Sequence, residues 1–315
     1  MALLIIGGLR TAQFAQAARE LAPDLDVRTW PDLGRPEDIR YALAWVPPLG
    51  ALKKATNLEL IVSVGAGVDH IFRDPELPDV PVVRYVDKDL TGRMVEYVTL
   101  HVLLHQRRMT EFIAQQRASQ WLYLAEPAAH EVRVGIMGLG VMGEASLRAL
   151  KALGYQLRGW SRTQKAIDGV TCFAGVDGLD AFLADSDIVV CVLPHTADTH
   201  GILNRDLIRK MSRHGRHPRL PGPVLINAGR GGLQVEADIL AALDAGELYA
   251  TSLDVFEVEP LPETSPLWTH PRVIITPHNA AESKPESIVR YTLKQLARHG
   301  AGQALENVVD RSRGY

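Results

Sequence analysis

Short apolar runs and longer amphipathic segments alternate along the chain, and this alternation predicts parallel sheets covered by helices. LLII (3–6), DVRTW (26–30), YALAWV (41–46), LELIVSV (58–64) and VPVVRY (80–85) have the composition of short buried strands, and TAQFAQAARELA (11–22) reads as a helix between two of them. A longer helical period runs from Gly92 to about Gln116, with Met94, Val98, Val102, Leu104, Met109 and Ile113 apolar and Arg107 and Arg108 forming a basic cluster. It reads as a connector. The segment 118–131 then loses the period and contains a proline.

A second alternating series begins at Val132. It comprises VRVGIMG (132–138), a helix near 143–153, QLRGW (156–160), DIVVCVL (187–193), PVLINA (223–228), a helix across 236–245, YATSLDV (249–255) and RVIITP (272–277). A last helical segment, roughly 281–299, is expected to return the chain to the first domain. The expectation is an α/β protein of two Rossmann-like domains with parallel sheets. One is a discontinuous, flavodoxin-like substrate domain, 1–97 plus 281–315, and the other a dinucleotide-binding domain, 98–280.

Composition narrows the class. With 315 residues, 46% of them hydrophobic and 23% charged, the chain can bury two cores. Its 34 Lys and Arg nearly balance 37 Asp and Glu, so the net charge of -3 creates no global field for nucleic acid or an anionic membrane. Anion binding must be local. Cys172 and Cys191 lie far apart in apolar surroundings and read as buried thiols in a reducing compartment. The run Leu3 to Ile6 lacks a basic flank and is too short for a signal or a membrane span, and a cytoplasmic protein is expected.

GLGVMG sets Gly138, Gly140 and Gly143 in G-x-G-x-x-G spacing between a strand and a helix. The first glycine permits the turn, the second admits a pyrophosphate, and the third lets helix and strand approach; the helix N-terminus, from Val141 and Met142, faces the phosphates. The competing reading is a tight turn without a ligand. Gly7-Gly8 lacks the rest of the spacing and is read as a plain turn. About twenty residues beyond such a turn, a carboxylate usually holds the ribose hydroxyls. Here stand Ser161, Arg162 and Thr163. Ser161 removes the repulsion of a 2′-phosphate, Arg162 adds a charged planar fork, and the hydroxyls add donors, so the cluster points to NADPH/NADP, with NADH usable at lower efficiency. The plainer alternative is that Arg162 is a solvated loop charge; Lys165 is open to either role.

INAGRGG (226–232), SLDVFEVEPLP (252–262) and ITPHNAAES (275–283) each sit at a predicted strand end, where an open parallel sheet presents its ligand loops. Their chemistry fits reduction of a 2-oxo acid. Arg230 is a forked donor for carboxylate and carbonyl oxygens, His278 is a proton donor for the developing alkoxide, and Glu259 is a carboxylate that favours the charged imidazole. His214 and His217, in the Arg/His-rich stretch 213–222, lack Cys or carboxylate companions at metal spacing. His101 and His105 lack the Glu of an H-E-x-x-H pattern, and no metal is expected.

Taken together and in this order, these three segments resemble those of the D-isomer-specific 2-hydroxyacid dehydrogenases. In that family an Asn-x-x-Arg-Gly, an Asp-Val-Phe-x-x-Glu-Pro and a Pro-His segment carry the Arg, Glu and His of the active site. The likeness spans essentially the whole chain. It implies Arg230 in substrate binding and polarisation, Glu259 as the histidine's partner and His278 as general acid/base, in a cleft between two α/β domains. VGIMGLGVMG, GWSRT, DVFEVEPLPETSPLW and the terminal VVDRSRGY are similar in particular to the glyoxylate/hydroxypyruvate reductase A branch. That branch implies NADPH-dependent reduction of glyoxylate to glycolate and hydroxypyruvate to D-glycerate.

The resemblance also implies Leu193 and Pro194 alongside nicotinamide and ribose, cofactor contacts from Ala228 and Gly229, and Asp254 near the carboxamide. His195 departs from the family and is either a tuner of cofactor contacts or a partly exposed loop histidine. Ala66 and Gly67 in SVGAGVDHI (63–71) offer backbone N–H groups to a substrate carboxylate. Trp45 walls a small pocket in the branch, although by itself it reads equally as packing. A homodimer is expected, with 92–116 and 118–131 as the contact.

Two alternatives stay open: a dehydrogenase for a bulkier 2-oxo acid, and a non-catalytic dinucleotide-sensing interaction protein. For the cofactor, Arg162→Ala is expected to lower kcat/KM with NADPH by about 10- to 100-fold while sparing NADH, as loss of charged hydrogen bonds to one phosphate dictates. Equal kcat/KM for the two cofactors in the unaltered protein would remove the assignment.

Overall fold

The clearest apolar runs form strands, and β1 (Ala2–Ile6) has all five residues buried. In a computed structural model, residues 1–212 and 214–311 are described. Arg213, at the head of the stretch 213–222, and residues 312–315, the end of VVDRSRGY, lie outside the described residues.

The chain divides into two units, Met1–Leu90 with Ser283–Tyr315, and Thr91–Glu282. Met94, Tyr97 and Val98 pack into the core of the second unit, so the division falls ahead of residue 97.

In the first unit β1 is followed by α1 (Thr11–Leu21), β2 (Asp26–Thr29), β3 (Ile39–Ala44), β4 (Leu60–Ser63), the short α2 (Asp69–Phe72) and β5 (Val82–Arg84). All pairs are parallel and the order is β2-β1-β3-β4-β5, the flavodoxin-like arrangement. Helix α1 buries Phe14, Ala15, Ala17 and Ala18 on one face and packs on the C-terminal helix Pro285–Gly300. That helix starts with Pro285 in its first turn and ends with Arg298 and His299, the polarity that helix ends favour. It is grouped with the first unit.

The second unit takes α3 (Lys88–Gln106) from Thr91 onward, then α4 (Met109–Arg117), β6 (Arg133–Met137), α5 (Val141–Ala152), β7 (Gln156–Ser161), β8 (Val170–Ala174), α6 (Gly175–Ala184) and β9 (Ile188–Cys191). It continues with α7 (Arg205–Lys210), β10 (Val224–Asn227), α8 (Glu236–Asp244), β11 (Ala250–Leu253) and β12 (Val273–Ile275). The sheet is parallel throughout, ordered β12-β11-β10-β9-β6-β7-β8. Strand order reverses between β6 and β9, the switch point at which such sheets bind ligands. No helix among the described residues is long and apolar enough to cross a membrane.

Three readings need correction. The connector is two helices, not one, because Arg108 takes a left-handed conformation, φ 54°, between α3 and α4. The pair β8 and α6 escaped the apolar pattern. β8 is a partly buried edge strand, and α6 contains two glycines, which weaken helical propensity. Cys172, on β8, is only partly buried; Cys191 is fully buried, and neither is paired.

The amino ends of β6, β7 and β9 are tied by ions. Arg133 forks onto Asp187 at 3.0 and 2.5 Å and reaches Asp185 at 2.9 Å. Arg158 also pairs with Asp185, and the Ser212 hydroxyl donates to Asp187 at 2.8 Å. The side chains of Arg133 and Asp187 are 8% and 1% exposed, so removing one strands the other's charge in the interior. Asp187→Ala is expected to cost about 3–5 kcal/mol, read as a lower urea midpoint at unchanged slope.

Candidate active site

The glycine turn follows β6 directly. Gly138 has φ 106° and donates its N–H to the Trp160 carbonyl at 2.9 Å. Gly143 stands so close that a Cβ would lie 1.9 Å from the Gly138 oxygen, which is why the third position of the fingerprint admits no side chain. At Gly140, the N-cap of α5, a Cβ would meet no protein atom within 4 Å. The helix that begins at Val141 and Met142 has first-turn N–H groups with no preceding-turn acceptor. Open space over Gly140 and N–H groups at a positive helix end fit a pyrophosphate.

At the end of β7, Ser161 donates its hydroxyl to the Thr163 carbonyl at 2.8 Å, which folds the turn that presents Arg162. Arg162, Thr163 and Lys165 are exposed there, with Lys165 3.9 Å from Glu144. Among these side chains Arg162 is the forked donor suited to a phosphate. Leu193 and Pro194 follow β9. The Pro194 carbonyl accepts the Thr199 hydroxyl at 2.8 Å, closing the loop. His195 is partly exposed and its Nε2 lies 3.0 Å from His200 Nδ1.

Three further loops carry Arg230, Glu259 and His278. After β10, the buried Asn227 side chain donates to the Arg230 carbonyl at 3.1 Å and to Gln234 Oε1 at 2.8 Å, and accepts the Gly229 N–H at 3.1 Å. This bracket shapes Ala228 to Arg230. Gly231 comes next, where a Cβ would lie 1.7 Å from the Phe256 oxygen, so the Arg230 loop presses directly on the loop after β11. In that loop Glu259 accepts the Phe256 N–H at 3.0 Å through Oε1, and its Oε2 is 2.7 Å from His278 Nδ1. Burial would push the Glu259 carboxyl up. The hydrogen bond and charge of His278, the Phe256 N–H and the nearby Arg230 guanidinium outweigh burial and hold it below its ordinary value. The carboxylate form is the one the site selects.

His278 has φ 54°, a left-handed conformation costing about 1–2 kcal/mol for a residue with a Cβ. Asp254 holds it there. The Asp254 carbonyl accepts the His278 N–H at 2.8 Å, and its buried carboxylate accepts from the Thr276 hydroxyl at 2.6 Å and the N–H groups of Asn279 and Ala280 at 3.0 Å each. Asp254 thereby shapes the turn that carries the histidine.

In the first unit, Trp45 directly follows β3 and packs its ring, tilted, against His70 with centroids 4.5 Å apart, beside Gly65. The Ser63 hydroxyl donates to the Gly67 carbonyl at 3.1 Å, curling the turn through Ala66. Trp45 and the 63–67 turn are therefore neighbours. His101 and His105 are buried on α3; His101 Nδ1 lies 3.1 Å from the Tyr97 carbonyl, and His105 Nε2 lies 2.8 Å from Ser252 Oγ. Burial lowers the His101 pKa and takes that of His105 to about 3. His217 sits 3.4 Å from Glu131. Among the described residues, no three His, Cys, Asp or Glu side chains converge as a metal site.

Sequence reasoning passed over Asn227, Gln234 and Thr276. Asn227 was visible in INAGRGG as a buried polar residue at a strand end, whereas Gln234 and Thr276 matter only through three-dimensional contacts.

A sequence model described as D-isomer specific 2-hydroxyacid dehydrogenase, NAD binding domain, matches residues 99–280. A solved NADPH-dependent glyoxylate/hydroxypyruvate reductase from Sinorhizobium meliloti, in complex with NADP and sulfate, is 42% identical, with all of both chains covered and a TM-score of 0.93. A probable 2-hydroxyacid dehydrogenase from Rhizobium etli CFN 42, in complex with NADP, HEPES and L(+)-tartaric acid, is 41% identical over 100% of this chain and 99% of its own, with a TM-score of 0.93. A D-isomer specific 2-hydroxyacid dehydrogenase from Xanthobacter autotrophicus Py2, with NADPH and MES, is 40% identical over the same shares, with a TM-score of 0.91.

Proposed function

The chain belongs to the D-isomer-specific 2-hydroxyacid dehydrogenase family, and from that premise we propose that it reduces small 2-oxo acids, glyoxylate and hydroxypyruvate foremost, with NADPH. The observation that carries this reading is the Glu259–His278 contact of 2.7 Å, in a site that also holds Arg230 close enough to act on Glu259.

NADPH, when bound, supplies the hydride to the carbonyl carbon. Gly138, Gly140, Val141, Met142 and Gly143 would hold its pyrophosphate, Arg162 and Thr163 its 2′-phosphate on the turn that Ser161 folds, and Leu193, Pro194, Ala228, Gly229 and Asp254 its nicotinamide half. Arg230 grips the carboxylate and carbonyl oxygens of the substrate, so the oxygen that gains charge in the transition state already faces a cation. His278 gives that oxygen a proton. Its Nδ1 is engaged by Glu259, and donation therefore falls to Nε2, with Glu259 stabilising the imidazolium before the transfer. A single arginine favours the 2′-phosphate without barring NADH, which serves at lower efficiency.

A homodimer is the assembly we favour. Leu100, Met109 and Ile113 on α3 and α4, and Trp121, Leu122 and Tyr123 just beyond, are exposed apolar side chains in one continuous stretch, as an interface with a second copy requires. The unpaired Cys172 and Cys191 support a cytoplasmic location.

The deciding measurement is NADPH oxidation across a panel of 2-oxo acids. Glyoxylate and hydroxypyruvate are expected to give higher kcat/KM than phenylpyruvate or 2-ketoisocaproate; NADPH binding without turnover on any of them would mark a sensor and sink the reading. Reduction should slow as pH rises, as a step that consumes a proton requires, while oxidation of the hydroxy acid should gain. At the acid end, Glu259 loses its carboxylate only as pH falls through its lowered pKa, so the pair stays intact through the neutral range. A reduction rate flat from neutral to alkaline pH, with chemistry rate-limiting, would exclude His278 as the acid. Sedimentation is expected to give a dimer, and a monomer at working concentration would refute the assembly.

A further inference from the structure

We propose that Tyr97, on helix α3, is a positioning residue for His278, acting through Thr276 and Asp254. This rests on the reading of His278 as the proton donor. The Tyr97 hydroxyl lies 3.0 Å from Thr276 Oγ1, and Thr276 Oγ1 lies 2.6 Å from Asp254 Oδ1. A hydroxyl has one proton, and Thr276 gives its own to the carboxylate, which can only accept. Tyr97 must therefore be the donor to Thr276. The chain runs in one direction, from the Tyr97 O–H to Thr276 and from the Thr276 O–H to Asp254.

Every element at the end of this chain bears on His278. Asp254 Oδ1 also accepts the Asn279 N–H at 3.0 Å, Oδ2 accepts the Ala280 N–H at 3.0 Å, and the Asp254 carbonyl accepts the His278 N–H at 2.8 Å. The turn 276–280 is thus strung between one aspartate and one threonine. It must hold His278 at φ 54°, which its own side chain disfavours, so the restraint has to come from outside the turn. Tyr97 supplies that restraint from a helix. It is buried, and its ring packs on His101 with centroids 3.9 Å apart, which leaves the hydroxyl little freedom to turn away from Thr276.

The groups that titrate or carry charge beside this path are few. His101 lies on the Tyr97 side, where burial favours its neutral form, and Asp254 lies at the far end. His278 itself faces Glu259, with Arg230 near that carboxylate. Loosening the turn would let the imidazole drift from Glu259, and the cation would lose its partner. Loss of the Tyr97 hydroxyl should then appear in the ionisation of a residue it never touches, an effect that a merely structural tyrosine would not produce.

The test uses Tyr97→Phe, Thr276→Val, Thr276→Ser and the double variant Tyr97→Phe/Thr276→Val in the full chain. Two readouts are taken: the pH profile of kcat for 2-oxo acid reduction, and an NMR titration of the His278 imidazole, assigned by its disappearance in His278→Asn. Tyr97→Phe is expected to lower kcat by about fivefold, the loss of one buried hydrogen bond, and Thr276→Val, which breaks both links of the chain, by at least as much, with the KM for NADPH little changed. In both, the alkaline fall in kcat and the imidazole titration should move to lower pH. Thr276→Ser should keep the unaltered profile, and the double variant should be no worse than Thr276→Val alone, because both changes cut one chain. Independent, multiplying losses, or an unmoved imidazole titration in folded Tyr97→Phe, would overturn the proposal. If Tyr97→Phe does not fold, Thr276→Val against Thr276→Ser carries the same decision. Should the unaltered protein reduce no 2-oxo acid, the functional reading falls, and the imidazole titration still decides whether Tyr97 positions His278.

Discussion

Parallel pairing is the constraint on which the second unit depends. When every strand of a sheet runs the same way, every carboxyl end meets one edge, and the loops that leave those ends become neighbours whatever their distance in sequence. The glycine turn after β6, Leu193 and Pro194 after β9, Arg230 after β10, Asp254 and Glu259 after β11 and His278 after β12 share that edge for this reason. The residues need no local motif to meet. They need only to lie in the loops that leave the carboxyl ends of the strands.

Within that edge, the loops are fitted to one another by backbone contacts as much as by side chains. The Arg230 loop touches the Phe256 carbonyl at Gly231, and the next loop is pinned by Glu259 to the Phe256 N–H and by Asp254 to the turn around His278. Arginine, glutamate and histidine therefore sit on loops in direct contact. A displacement of one loop is passed to the others through a carbonyl and two carboxylates.

How much of this was legible depended on whether the signal was local. Most strands stood out because apolar residues dominate them, as in LLII and DIVVCVL, and the candidate site residues stood out because they are polar residues placed at strand ends, as Arg230 in INAGRGG and His278 in ITPHNAAES are. Helix α6 did not, because Gly175 and Gly178 mask its period, and the break at Arg108 did not, because a left-handed arginine leaves no mark in composition. Thr276 and Tyr97 were invisible for a different reason. Each is an ordinary residue in its own segment, and its meaning lies in a partner 179 positions away.

The ion cluster around Arg133 and Asp187 has an implication for how such a molecule can change. It sits at the amino edge of the sheet, with the length of the strands between it and the loops of the candidate site. Cohesion and chemistry are thereby assigned to opposite rims of one sheet. Loops at the carboxyl rim are open to trial, and a new substrate preference or a new nucleotide can be explored there while the other rim keeps the sheet assembled. An enzyme so divided can be retuned without first being rebuilt.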